Sequence, residues 1–298
     1  LSILKNSPTI RELFDFLQTN EATHVHAAFA NLPALLARAA AQRLGLTYSV
    51  SAHAADVFCR RYDDKYLMKK AAFIDVCNQA AYDDLAQRSP WLADKLHLVR
   101  HGLLLDTCPY APRKQLKDPL QLLVVGRLVA KKDPVAAARL GRALNRCGIP
   151  TAVTFVGDGP LREQTTVETL EYEAHFPGVL PPAEVKARMR RADFLLVCSR
   201  ELANGDREGV PNVVLEAMAV GLPVLGTDSG GIGQVLTPDT GWVIDPHDTE
   251  AFCRLLQGLC RDPAPIRART DAAREQVEQH WNARTLIDQK ADLLRRQL

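Results

Sequence analysis

The sequence predicts an α/β protein built from two Rossmann-like, doubly wound parallel-sheet domains. Three observations predict it. Short apolar segments alternate with helical ones along the chain, the pattern of a parallel sheet with crossover helices. A polar, proline-bearing stretch from Pro109 to Pro119 interrupts the alternation, which then restarts, as expected of a linker between domains. Histidines, glycines and charged residues follow directly after the apolar segments, where open α/β sheets receive ligands. A chain of 298 residues with 47% hydrophobic content can bury a core in each of about two domains.

In chain order, Ser7–Pro8 caps a helix reaching Gln18. Thr23 to Phe29 reads as a strand, Pro33 starts an Ala/Leu-rich helix that Gly45 ends, and Leu46 to Ala52 is the next strand. Phe73 to Cys77 and Leu96 to Val99 are short strands around a helix near Ala80 to Gln87. The second half opens with a strand from Leu120 to Val125. Asp133–Pro134 then starts a helix, with Asp133 as N-cap and Pro134 in the first turn. Thr151 to Val156 and Phe194 to Cys198 are strands. Pro211–Asn212 opens a helix to Val220 that Gly221 closes, and a strand runs from Pro223 to Gly226. Trp242 to Ile244 is a last short strand, Asp248 begins a helix to Leu259, and the chain is helical and charged from Ile266 to Leu298. The expected division is a first domain over 1–110, with the C-terminal helix from about 277 to 298 packing back on it, and a second over 119–276.

The totals exclude several classes. A net charge of +2 and few aromatics argue against a nucleic-acid partner. The seven cysteines are scattered, odd in number and without a C-x-x-C pair, which fits a reducing compartment. No apolar run reaches the length of a membrane span and no signal peptide is visible, so a cytoplasmic protein is expected. Arg60, Arg61, Lys69 and Lys70 could face anionic lipid in a peripheral membrane contact, although a solvated helix face accounts for them better.

The stretch from Asp206 to Gly231 holds the candidate site. Glu208 and Glu216 lie eight apart, with Gly209, Val210, Pro211, Asn212 and Val213 between them. A helix N-terminus behind a glycine-bearing loop offers free N–H groups and a favourable dipole to an anion, and carboxylates beside it can accept from hydroxyls. Phosphate at a helix tip with hydroxyls on either side describes a nucleotide sugar; a capped amphipathic helix explains the stretch as well. Gly126–Arg127 and Lys132 follow a strand, where a guanidinium and an ammonium suit a diphosphate, or are two solvated cations. Gly157–Asp158–Gly159 is a turn signal first, and could also admit a ribose or base to the backbone. His53 could hydrogen-bond a sugar hydroxyl or position an acceptor, or be a loop histidine satisfied by backbone. His24 and His26 share a strand face and read as structural or cleft-lining, with no third metal ligand in evidence. Asp63–Asp64 and Asp83–Asp84 read as helix-start or surface charges, and Asp239 and Asp245 as turn formers.

Together these pieces resemble the retaining glycosyltransferases of family 4, which have the two-domain GT-B fold. The resemblance rests on VVGRLVAKKD (124–133), FVGDGPL (155–161), ADFLLVCS (192–199), the segment from Gly205 to Ile232 with its E-x7-E spacing, and TGWVIDPHD (240–248). In the first half, HVHAAFANLPA (24–34), YSVSAHAADVF (48–58) and HLVRHGL (97–103) are similar to bacterial exopolysaccharide members of the colanic-acid type. It implies that Arg127 and Lys132 hold the donor diphosphate, Glu216 the ribose hydroxyls and Glu208 the donor sugar. Gly209 to Val213 would meet sugar and phosphate through backbone N–H, Gly126, Gly157 and Gly159 would line the donor site, and His53 would reach donor sugar or acceptor. The implied reaction moves a sugar from a nucleotide diphosphate, UDP or GDP, to a saccharide or lipid-linked saccharide, without metal, cofactor or protein base. Glu208, Arg127, Lys132 and His53 would be its catalytic residues, acting through the two domains facing a cleft.

Two departures qualify the resemblance. Ile232–Gly233–Gln234 stands where the family has a proline and a carboxylate, which predicts a looser turn after Gly230–Gly231. No strand and Gly-rich loop of the family's usual start precede residue 21, so an incomplete first domain is expected. That motivates the alternative of a catalytically silent nucleotide-sugar-binding protein. A nucleotide-sugar epimerase on the same architecture is the other, with the E-x7-E and R-x4-K spacings against it.

Overall fold

The computed structural model describes residues 8–59, 62–112 and 115–297. Ser7, Arg60 and Arg61, for which roles were expected, lie outside them. The chain forms two compact units, one taking residues up to His101 together with Arg284 onward, the other Gly102–Ala283.

The first unit runs α1 (Pro8–Thr19), β1 (His24–Ala27), α2 (Leu32–Leu44), β2 (Thr47–Ala52), α3 (Ala54–Phe58), α4 (Asp64–Met68), β3 (Ile74–Val76), α5 (Gln79–Arg88) and β4 (Leu96–Leu98). Its strands form a parallel sheet in the order β1-β2-β3-β4, without reversal. Gly45, at φ +73, ends α2 in the left-handed conformation, and the Asn78 side chain caps α5 by accepting from Ala81 N–H. One face of the sheet is apolar, with Tyr48, Val50 and Ala52 packed among Ala34, Ala37, Ala81 and Leu85. The alternate residues Thr47, Ser49 and Ser51 make the other face polar. His24 bridges Thr47 and Ser49 at 2.7 Å each, and His26 bridges Ser49 and Ser51 at 2.8 and 3.0 Å. Ser51 donates to Asp75, and Lys290 hydrogen-bonds both. Lys290 belongs to the last helix, α12 (Ala283–Arg295), nearly all of which lies in this unit.

The second unit runs β5 (Leu120–Val125), α6 (Pro134–Arg146), β6 (Thr151–Val156), α7 (Arg162–Glu168), β7 (Ala174–Gly178), α8 (Pro182–Met189), β8 (Phe194–Val197), α9 (Asn212–Val220), β9 (Val224–Gly226), β10 (Trp242–Val243), α10 (Thr249–Arg261) and α11 (Ala264–His280). Its sheet is parallel, in the order β10-β9-β8-β5-β6-β7. Both faces are buried. Leu120, Leu122, Val124, Phe194 and Leu196 pack under α6 and α10, while Leu123, Leu195 and Val197 pack under α9 and α11. The period-two alternation thus feeds two cores instead of one.

The unit boundary falls at His101/Gly102 and returns at Ala283/Arg284, not in the Pro109–Pro119 linker and at about 277. Residues 103–111 are held by the second unit. Leu103 exchanges backbone hydrogen bonds with Trp281 and Ala283, Cys108 is in the core beside α9, and Ala111 N–H donates to Val220 O. The same exchange breaks the expected single C-terminal helix into α11 and α12. Strand β7 and helix α8 have no counterpart among the expected elements. Ala174–Gly178 is only partly buried and carries a proline, so it lacks the apolar run that marks the other strands.

Candidate functional site

Strand order in the second sheet reverses between β5 and β8: β6 and β7 lie to one side of β5, β8 to β10 to the other. Loops leaving such a pair diverge to opposite faces and leave a crevice at the carboxyl ends of the strands. Gly126 to Asp133 leaves β5 there, and Ser199 to Pro211 leaves β8. Gly126, Arg127, Leu128, Lys132, Leu196, Val197, Cys198 and Ser199 line the pocket between them.

The loops are built tightly. Asp133, at φ +43, caps α6 by accepting from Ala136 N–H at 3.1 Å and pairs with Arg200 across the crevice. Gly157 has φ +130, and a Cβ there would lie 2.0 Å from Gly126 O. Leu128 N–H donates to Asp158 O, and Leu161 N–H to Leu128 O. The Gly157–Gly159 turn therefore supports the Gly126–Leu128 loop, and backbone packing by itself accounts for its glycines. Gly230, at φ +60, lies where a Cβ would come within 2.1 Å of Glu208 O, and Gly231 N–H donates to that oxygen at 3.0 Å. The Ser229–Gly231 turn is thus a cradle for Glu208. Nor is the following turn loose. Ile232–Gln234 is a 3-10 turn with Ile232 buried, and Gly233 leaves room that Asp228 Oδ1 closes to within 2.2 Å of where a Cβ would be.

The charges converge on Glu208. Lys132 Nζ lies 3.2 Å from Oε2 and Lys131 Nζ 3.7 Å from Oε1, while Lys131 also pairs with Asp206 at 2.8 Å. Lys131 and Asp206 were not expected here; the doubled lysine was the signal for the first. Arg127 is exposed and makes no ion pair or side-chain hydrogen bond among the described residues. Three buried oxygens of these loops, Ser199 Oγ, Glu208 Oε1 and Ser229 Oγ, have no hydrogen-bond partner among them either. Their hydrogen-bonding capacity is open to water or to a polar ligand. Helix α9 begins without a side-chain cap and without an acidic residue in its first turn, so the N–H groups of Asn212 and Val213 stay available. Glu216, one turn on, is half-buried. Burial pushes its carboxyl above the usual range, opposed by Lys186.

His53 lies in the first unit, at the carboxyl end of β2. Its Nε2 meets Ala28 O at 2.9 Å, so backbone does satisfy that nitrogen. Asp56 fixes the loop by accepting from the N–H groups of His53 and Ala30 and from Asn31. Cys77 Sγ is 3.8 Å from His53 Nδ1, and the His101 ring centroid is 5.1 Å from that of His53.

A cavity of about 610 Å³ between α6 and α10 is a weaker candidate. Its arginines 139, 142, 146 and 254 are already paired with Glu168, Glu171 and Glu250. Among the described residues, no helix is long and apolar enough to cross a membrane.

The family model described as "Glycosyl transferases group 1" matches residues 111–277. The chain is 33% identical over 210 residues to the putative colanic acid biosynthesis glycosyltransferase WcaL of Escherichia coli, covering 67% of this chain and 51% of the relative. It is 32% identical to the amylovoran biosynthesis glycosyltransferase AmsK of Erwinia amylovora, covering 68% and 51%. The chain spans about half the length of these relatives. Among solved structures, HepE of Anabaena, in complex with UDP and glucose, superposes with a TM-score of 0.77 over 99% of this chain and 83% of that one at 17% identity. Sucrose-phosphate synthase of Thermosynechococcus elongatus gives 0.76 over 97% and 77% at 19%. These likenesses show the fold, which is GT-B.

Proposed function

The chain belongs to the group 1 glycosyl transferases, and from that premise we propose that it moves a sugar from a nucleotide diphosphate donor to a saccharide or lipid-linked saccharide, in polysaccharide or glycoconjugate synthesis. The crevice at the β5/β8 reversal is its donor site. The observation that carries this reading is the Lys132–Glu208 ion pair beside a pocket lined by Arg127, Lys132 and Ser199, with the uncapped start of α9 four residues after Glu208.

The diphosphate lies against Arg127, Lys132 and the N–H groups of Asn212 and Val213. As the glycosidic bond breaks, negative charge grows on the leaving phosphate, and these fixed donors stabilise it without reorganising. Lys132 is shared with Glu208, so the charge on phosphate competes for a lysine already neutralised in part. Glu208 accepts from the sugar hydroxyls and steadies positive charge developing at the anomeric carbon. Glu216 accepts from the ribose hydroxyls; a carboxyl already biased towards protonation by burial is suited to a neutral hydrogen-bonding role. His53 contacts donor sugar or acceptor. Attack from the face of the departing phosphate retains configuration as in family 4, with the phosphate taking the acceptor proton, so no protein base and no metal is assigned. The protein acts in the cytoplasm, at or near the inner face of the membrane.

Calorimetry with UDP- and GDP-sugars, followed by product analysis with saccharide acceptors, tests the reading. Binding of one nucleotide series and release of its diphosphate with a new glycosidic bond is expected. Binding without turnover would instead identify a nucleotide-sugar-binding protein, and an epimerised donor an isomerase.

A further inference from the structure

We propose that His53, Cys77 and His101 form a binding site for a zinc ion in the first unit. The three residues follow β2, β3 and β4, which are neighbouring parallel strands. Sheet order therefore sets them side by side although 24 residues separate each from the next. One ligand atom from each lies within 4.8 Å of the other two.

The donor set and its surroundings fit the ion. Imidazole nitrogen and thiolate sulfur suit zinc and reject magnesium and calcium, which need oxygen. A tetrahedral centre with Zn–N near 2.0 Å and Zn–S near 2.3 Å holds its nitrogen and sulfur about 3.5 Å apart. Cys77 Sγ and His53 Nδ1 are already 3.8 Å apart. Ala28 O can only accept, so the proton of His53 sits on Nε2 and the Nδ1 lone pair faces Cys77. A histidine held through one nitrogen by a carbonyl and free at the other is the usual support for a metal ligand. Asn78 Nδ2 donates to Cys77 Sγ at 3.6 Å, and its own side-chain oxygen is fixed by Ala81 N–H, so a donor is in place for a thiolate. His101 has no hydrogen-bond partner among the described residues and can turn inward.

Binding forms two Zn–N bonds and one Zn–S bond and releases the Cys77 thiol proton to solvent, leaving a fourth position for water. Zinc and the donor sugar or acceptor would compete for Nδ1 of His53, since Ala28 O holds its Nε2; this consequence alone rests on the proposed function.

The test is metal binding to the reduced, chelator-stripped chain, read by absorbance with Co2+ as the probe. A thiolate-to-cobalt charge-transfer band with tetrahedral visible bands, saturating at one Co2+ per chain and bleached by Zn2+, is expected. Cys77→Ser should abolish the band, His101→Gln should weaken Co2+ binding at least about tenfold, and Cys59→Ser should leave both unchanged. Absence of the band at excess Co2+, its survival in Cys77→Ser, or its loss in Cys59→Ser would overturn the proposal. Should Cys77→Ser melt early, the exposed His101→Gln variant decides alone, and unchanged cobalt affinity there would overturn it. None of these readouts depends on glycosyl transfer.

Discussion

The two sheets of this protein are built from the same strand–helix unit and differ in two respects. The six-stranded sheet reverses its order at β5/β8 and is apolar on both faces. The four-stranded sheet runs β1 to β4 without reversal and has one apolar face and one lined by His24, His26, Ser49, Ser51 and Asp75. In the first case the charged groups gather at the strand ends, where diverging loops leave a crevice. In the second, polar groups lie along the strands and are neutralised by a helix from the far end of the chain. A reversal gathers charged loops at one crevice, whereas a polar sheet face makes a docking surface that needs a charged partner.

The comparison can be broken most sharply at Arg127. If the β5/β8 crevice is the donor site, Arg127→Ala should lower transfer by about 10²–10³-fold, the range for removing one preorganised charge-stabilising donor, with no change in melting temperature. A loss of stability without a selective loss of transfer would make the residue structural. Next is the pair on the polar face. Lys290→Met leaves Asp75 buried and unpaired, which should cost roughly 3 kcal/mol and show first as faster amide exchange along α12. Asp75→Asn combined with Lys290→Met should recover most of it, and failure to recover would mean that the lysine stem, not the ion pair, holds the helix.

A smaller effect separates loop support from strand packing. Gly230→Ala places a methyl against Glu208 O at positive φ and should destabilise by about 1–3 kcal/mol while weakening donor binding, because the cradle positions Glu208. Gly258, on an open helix surface, should tolerate alanine without loss, since nothing lies within 4 Å of the added carbon. The smallest expected effect is on pH. Burial, Lys290 and His24 push His26 down to about 4, opposed by Asp75. Between pH 6.5 and 4 the unfolded chain binds the proton that the folded chain refuses. The contribution of His26 is therefore full above the unfolded pKa and is lost as the pH falls through that window. The melting temperature of His26→Asn should decline less than that of the parent over the same range; parallel curves would exclude His26 as a source.

The comparison also marks what the sequence made legible. Strands β5 and β6 and helix α9 are read to the residue, because apolar runs meet glycine or proline at both ends. The convergence of Gly126, Arg127, Lys132 and Glu208 follows from strand ends alone. The ion pair between Lys132 and Glu208 does not, since loop conformation decides which charges meet. Helix α3, five residues long, shows too little periodicity to be seen, whereas Asp63–Asp64, read as a helix start or surface charges, does begin α4, with Asp63 as its N-cap. The break at Trp281 depends on a backbone exchange with Leu103, 178 positions away, that no local pattern announces. The His53, Cys77 and His101 cluster is invisible for the same reason: its spacing belongs to the sheet order, not to a motif.

Amide exchange with and without UDP or GDP tests the central claim most directly. The account predicts that one nucleotide slows exchange at both Gly126–Lys132 and Asn212–Val214, and leaves the arginine-lined cavity between α6 and α10 unchanged. Protection at that cavity, with none at the two loop segments, would contradict it.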